Sequence, residues 1–90
     1  MIMTTTEILE FAEVRGYNPE RRASNLWYLQ VEDVRGHTFK GFGLHVMRDQ
    51  EEPYLVLYHD RGRMAFRVDE VADAGWFHIR EWTHVAERVA

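Results

Sequence analysis

The stretch PYLVLYHDRGRMAFRVDEV, residues 53–71, decides the fold because it holds two β-strands and the turn between them. Residues 54–58 are apolar at every position, which is typical of a strand covered on both faces. The turn DRGR, residues 60–63, follows, and its Gly62 can adopt a positive φ. Apolar residues then alternate with polar or small ones. The pattern predicts an antiparallel hairpin whose first strand is packed on both sides.

The sequence before this hairpin predicts two more strands. From Leu26 apolar side chains occur at every second position, which predicts a strand with one wet face. A turn over residues 33–36 leads to a long strand over residues 37–47. Gly41 and Gly43 leave one face of that strand without side chains, which predicts strong bending.

The two ends of the chain have different patterns. Thr4, Thr5 and Thr6 precede an apolar series at helical spacing, which predicts an amphipathic helix over residues 5–15, ended by Gly16. The connector that follows has room for one helical turn from Pro19. Aromatic and β-branched residues predict a fifth strand at 76–82. A short helical turn over residues 83–90, capped by Thr83, completes the expected order.

Length and composition predict one folded domain over residues 1–90. A chain of 90 residues supports one small core, and an aromatic share of 13% argues against disorder. It has no cysteine, no basic leader and no run of 18 apolar residues, so we expect a cytoplasmic protein without a membrane span. The net charge is −4, yet residues 21–67 carry eight basic and six acidic side chains.

A helix followed by a bent antiparallel meander of about five strands, here residues 26–82, predicts a mainly β protein with a small SH3-like or Sm-like barrel. Within that class the opening stretch resembles the WYL domain of bacterial transcriptional regulators. That family has a strand of the pattern W-Y-L-V-(A/G)-Y, a short turn, and a strand of the pattern R-x-F-R-L-D-R-I. Here YLVLY at 54–58 corresponds to the first strand, and FRVD at 66–69, followed by Val71, to the second.

The resemblance implies a regulatory module that senses nucleic acid or a nucleotide-like ligand through a basic pocket. Pro53 stands where the family has Trp, and Met64 and Glu70 stand where it has Arg, so Arg67 is the one basic residue of the signature retained. The residues before Leu26 are too few for the helix-turn-helix of those regulators. The resemblance therefore implies a standalone sensor-like barrel or a repurposed scaffold.

The hairpin supplies the candidate ligand site. Arginines for phosphate contacts and rings for base stacking are the usual chemistry of proteins that bind single-stranded nucleic acid. The candidate ligand-binding residues are Tyr54, Tyr58, His59, Arg61, Arg63 and Arg67. The alternative is an ordinary surface hairpin whose arginines pair with Asp60, Glu51 and Glu52.

Catalysis, metal binding and a cofactor find no support in the sequence. The five histidines lack the tight spacing of a zinc site, and Ser24, the single serine, has no nucleophile turn around it. We therefore expect no enzyme. The alternative function is a protein-protein interaction module, such as an adaptor, an inhibitor or an immunity-like protein, that acts through aromatic faces and strand edges. Such edges also suit a homodimer.

Overall fold

The computed structural model describes residues 2–79, which form a mainly β structure with an N-terminal helix. The helices are α1 (Thr5–Arg15) and α2 (Pro19–Ser24). The strands are β1 (Trp27–Asp33), β2 (Thr38–Gly41), β3 (Gly43–Met47), β4 (Tyr54–His59), β5 (Gly62–Arg67) and β6 (Val71–His78). A 3₁₀-helix, Val68–Glu70, joins β5 to β6. No helix in this part of the chain is long and apolar enough to cross a membrane.

The strands form two antiparallel three-stranded sheets, in the orders β2-β1-β6 and β3-β4-β5. The long strand predicted over 37–47 is divided at Phe42, where the chain passes from the first sheet to the second. The Phe42 amide donates a hydrogen bond of 2.9 Å to the Tyr58 carbonyl, which ties this bend to β4. The predicted mainly β class with an N-terminal helix is confirmed. Within residues 2–79 the two sheets are not closed into a barrel, and the five-stranded barrel is not confirmed.

Helix α1 has the predicted bounds because both of its ends are specified by the sequence. Thr4 and Glu7 form a reciprocal capping box, with hydrogen bonds of 2.9 and 3.1 Å. At the other end, the Gly16 carbonyl accepts a 2.7 Å hydrogen bond from the Leu44 amide of β3. The Trp76 indole of β6 donates to the Arg15 carbonyl at 2.6 Å. The helix is therefore attached to both sheets.

The hydrophobic core lies between the two sheets and α1. Its fully buried side chains come from every layer: Ile8, Leu29, Val31, Leu44, Leu55 and Leu57. The apolar run of β4 is explained by this arrangement, because β4 is the central strand of its sheet. Leu55 and Leu57 face the core, and Val56 is buried on the other side of the sheet.

The last strand begins earlier than the sequence predicts. Strand β6 starts at Val71, and it pairs with β1 from Asp33↔Val71 to Trp27↔His78. The small residues of VADAG, 71–75, do not look like a strand, but pairing with β1 overrides their weak propensity. The predicted strand at 76–82 overlaps β6 at 76–78. Residues 80–82 and the predicted helical turn at 83–90 lie outside the described residues.

Candidate ligand-binding surfaces

The structure places four of the six predicted ligand-binding residues on one face of the β4–β5 hairpin. Tyr54 lies opposite Arg67, and Tyr58 lies opposite Arg63. The other two, His59 and Arg61, lie at the tip of the hairpin, where the Arg61 amide donates to Nδ1 of His59 at 3.2 Å. The tip is therefore held partly by the imidazole ring.

The four residues belong to the outer face of the second sheet, which points away from the core. Val56, between the two tyrosines, is only 6% exposed although it is not part of the core cluster. Its neighbours across the sheet are His45 and Ala65. The His45 ring meets the Tyr58 ring edge-on, with centroids 5.1 Å apart. This outer face is a packed aromatic surface rather than an open basic pocket.

Arg67 is engaged with neighbouring carboxylates. Its guanidinium lies 2.9 Å from Asp69 and 3.9 Å from Glu70, with all three side chains exposed. Exposed pairs of this kind contribute about 0–1 kcal/mol to stability, but they offset much of the charge that a phosphate would meet. The retained arginine of the signature therefore lies in locally acidic surroundings.

Tyr54 is likewise directed toward an acid. A hydrogen bond to the Asp49 side chain is the main cause that raises the pKa of Tyr54 above its ordinary value of 10.0. The tyrosine hydroxyl donates to the carboxylate, so its proton is held. Tyr54 and Arg67 thus share one end of the hairpin with several carboxylates, which disfavours an anionic ligand there.

A second surface brings cations and aromatic rings together, and the sequence analysis did not identify it. We call it the cation–aromatic patch; its members are Arg21, Arg22, Trp27, Tyr28, Lys40 and Phe42. The Arg21 guanidinium carbon lies 3.9 Å from the centroid of the Trp27 ring, and that of Arg22 lies 4.1 Å from the Phe42 ring. The Lys40 ammonium lies 4.9 Å from the Tyr28 ring.

Three features of the chain bring the members of this patch together. Asn18 caps α2 by accepting a 3.1 Å hydrogen bond from the Arg21 amide, and Asn25 ends the helix with a φ of 59°. The chain then enters β1 directly, so Trp27 follows the two arginines closely. The bend at Phe42 adds the third aromatic ring from a distant part of the sequence.

All members of the patch except Arg21 line a shallow depression of about 200 Å³. Asp60 of the hairpin tip lines the same depression, and His59 and Arg61 are its neighbours in the sequence, whereas Tyr54 and Arg67 lie at the far end of the hairpin. The sequence signals, RR at 21–22 and WY at 27–28, were visible. Their pairing with Phe42 depends on the strand bend and could not be foreseen.

The described residues contain neither a candidate metal centre nor an unpaired buried side-chain nitrogen or oxygen. Over residues 2–79, no three His, Asp or Glu side chains come together in a way that could hold a metal ion. In the same range, every buried side-chain nitrogen or oxygen has a hydrogen-bond partner.

Comparison with known proteins finds no matching family model, no matching curated protein and no matching solved structure. The resemblance to WYL domains over about residues 26–71 therefore stays a prediction from the sequence.

Proposed function

We propose that this chain is a non-catalytic binding module, on a WYL-like scaffold related to small barrels, that binds single-stranded nucleic acid or a nucleotide-like ligand. The observation that carries the proposal is the stacking of the Arg21 and Arg22 guanidinium groups on the rings of Trp27 and Phe42. This proposal moves the centre of the ligand site from Arg67 to the cation–aromatic patch.

The chemistry of the patch suits a base next to a phosphate. A guanidinium held flat on a ring presents a planar surface for a base and N–H donors at its edge for phosphate oxygens. Base stacking on such surfaces contributes about 1–3 kcal/mol per base. The rings also hold the long arginine side chains in place, so less side-chain entropy is lost when a ligand binds.

The negative net charge is compatible with this site. Three cations lie in the patch, and Asp60 is the acid that lines its depression. Charges farther away than about 8 Å are largely screened at physiological ionic strength. Arg61, the residue after Asp60, is expected to add a fourth cation, whereas Arg67, paired with Asp69 and Glu70, is expected to contribute little.

The test is fluorescence anisotropy of labelled single-stranded DNA and RNA oligonucleotides at several salt concentrations. Contacts from three or four cations predict a slope of about −2 to −3 in log K against log salt, at about 0.7 per phosphate. Affinity should therefore fall about 20- to 50-fold between 50 and 200 mM salt. The double variant Arg21→Ala/Arg22→Ala should bind much more weakly and with a slope smaller by about 1.4.

Two single variants serve as controls. Arg35→Ala removes an exposed arginine at the β1–β2 turn and should leave affinity and slope unchanged. Arg67→Ala separates the two possible sites, because it should have little effect if the patch binds the ligand. Loss of binding in Arg67→Ala with retention in the double variant would place the ligand on the hairpin instead. No binding at low salt would refute the nucleic-acid function for either site.

The second candidate is a protein-protein interaction module that uses the outer face of the second sheet. The observation that favours it is the aromatic surface of Tyr58 and His45 around the buried Val56. A homodimer through this face would show twice the chain mass in light scattering at both low and high salt. Tyr58→Ala should then restore the monomer mass, and a monomeric wild type would refute the homodimer.

A further inference from the structure

A broad depression lies at the other end of the β4–β5 hairpin from the cation–aromatic patch. It encloses about 950 Å³ between α1, the loop before β4, the second half of β5 and the 3₁₀-helix. We call it the acidic groove. The six-residue strand β4 spans roughly 20 Å between the two ends of the hairpin, and the groove and the depression of the patch share no lining residue.

The groove has apolar walls. Phe66 and Val68 are nearly buried beneath it, at 6% and 8% exposure, and Leu9 of α1 and Pro53 are partly buried beside them. Phe66 and Val68 belong to the core cluster and Leu9 packs against it, so this part of the groove is fixed by core packing. It offers a firm apolar surface to a bound side chain.

One side of the groove is the edge of a sheet. Strand β5 is the last strand in the order β3-β4-β5, so one row of its backbone amides and carbonyls faces away from β4. Within residues 2–79, no backbone hydrogen bond from this outer row to another element is found. An exposed edge of this kind can accept an extended segment as a further antiparallel or parallel strand.

The charge of the groove determines which charge a bound segment should carry. Its lining includes four carboxylates, Glu51, Glu52, Asp69 and Glu70, against one cation, Arg67. Arg67 already pairs with Asp69 and Glu70, so the two glutamates of the loop are left facing the groove without that compensation. A segment that carries Lys or Arg is therefore favoured, and a phosphate backbone is repelled.

A second copy of this chain fits the same edge less well. If two β5 strands paired antiparallel about Ala65, Arg63 of one copy would lie opposite Arg67 of the other. Like charges directly opposite each other destabilise a strand pair. The arginines of β5 thus act against self-association in this register.

From the free edge, the apolar wall and the carboxylates together, we propose that the acidic groove binds an extended, lysine- or arginine-rich segment of a partner protein by strand addition to β5. Main-chain hydrogen bonds to β5 would supply affinity. Apolar side chains at alternate positions of the bound segment would contact Phe66, Val68 and Leu9. The basic side chains of the segment would reach Glu51 and Glu52.

The experiment uses the full chain and a fluorescein-labelled ten-residue peptide of alternating Val and Lys, with anisotropy as the readout. A control peptide of alternating Val and Glu should bind at least ten times more weakly than the Val–Lys peptide. Two further Val–Lys peptides carry N-methyl groups on alternate residues, one in each register. At least one of them should lose ten-fold or more in affinity, because a strand that lacks those N–H groups cannot pair with β5.

Variants locate the site. Glu51→Gln/Glu52→Gln should weaken the Val–Lys peptide about ten-fold, whereas Glu10→Gln/Glu20→Gln removes two exposed carboxylates outside the groove and should not. Arg21→Ala/Arg22→Ala should leave peptide binding unchanged, so this proposal can fail or succeed independently of nucleic-acid binding.

Three results would overturn the proposal. They are binding of the Val–Glu peptide as tight as that of the Val–Lys peptide, binding of both N-methylated peptides as tight as that of the unmethylated one, and an unchanged affinity in the Glu51→Gln/Glu52→Gln variant. Displacement of the peptide by an oligonucleotide that still binds the Arg21→Ala/Arg22→Ala variant would assign the groove to nucleic acid and would also overturn it.

Discussion

Replacing Gly41 with alanine tests how the two sheets are joined. Gly41 is the last residue of β2, immediately before the bend at Phe42. A methyl group at this position would overlap the backbone carbonyl oxygen of Tyr58 and would lie 2.8 Å from Cδ1 of Leu57. The carbonyl oxygen belongs to β4 and accepts the hydrogen bond from Phe42, so it cannot move without disturbing the crossing.

The magnitude follows from two opposing effects. Insertion of a methyl group into a close-packed position costs about 1–3 kcal/mol. Alanine has less conformational freedom than glycine in the unfolded chain, which offsets about 0.4–1 kcal/mol of this cost. Gly41 is not among the positive-φ residues, so alanine suffers no backbone strain and only the overlap opposes it. We expect the free energy of unfolding to fall by about 1–2 kcal/mol, and the Tm by roughly 4–16 °C.

Gly43 provides a matched control two residues farther along the bent strand. A methyl group there would meet the Tyr17 ring at 3.5 Å, which is ordinary van der Waals contact. We expect Gly43→Ala to be neutral or more stable than the wild type, by up to about 1 kcal/mol. Thermal unfolding followed by circular dichroism and urea denaturation measure both variants. A wild-type Tm for Gly41→Ala, or an equal loss in both variants, would refute the close crossing.

Three further predictions concern side-chain hydrogen bonds. Thr4→Ala removes half of the capping box and should lower the free energy of unfolding by about 1 kcal/mol in urea denaturation; no change would show that the box does not stabilise α1. A hydrogen bond from the Thr4 amide lowers the pKa of Glu7 below its ordinary value of 4.5 in the folded state. The stability that Glu7 adds is therefore complete above pH 4.5 and is lost as the pH falls through the lowered pKa. The stability difference between wild type and Glu7→Gln should therefore shrink below pH 4.5, and a constant difference would contradict the hydrogen bond. Asp49→Asn should bring the raised pKa of Tyr54 back toward 10.0 in an NMR titration of ¹³C-labelled tyrosine, while Asp60→Asn should leave it unchanged; the same shift in both variants would contradict a specific contact with Asp49.

Local patterns in the sequence were sufficient for most elements of the fold. The cap at Thr4 and the stop at Gly16 place α1 correctly, and the turn at residues 60–63 joins β4 to β5 as predicted. The early start of β6 could not be predicted, because its residues 71–75 become a strand only through pairing with β1. Local sequence is informative where the stabilising contacts are also local.

The candidate site shows the same limit. The predicted hairpin is present, and its register, which places Tyr54 opposite Arg67, follows from the short turn between the two strands. The acids that surround Arg67 were visible in the sequence, but their distances of 2.9 and 3.9 Å were not. The stacking of Arg22 on Phe42 joins residues twenty positions apart through the strand bend, so only the three-dimensional structure reveals it.

The pairing of β1 with β6 has a consequence for the way this protein folds as it is synthesised. Trp27 and His78, paired across these strands, are 51 positions apart, whereas the strands of the second sheet follow one another within residues 43–67. Because closing a long loop costs more entropy than closing a short one, we expect the second sheet to form first. Until residues 71–78 leave the ribosome, β1 lacks its longer partner strand, β6. The side chains of Leu29 and Val31 then stay uncovered on the side where β6 will pair.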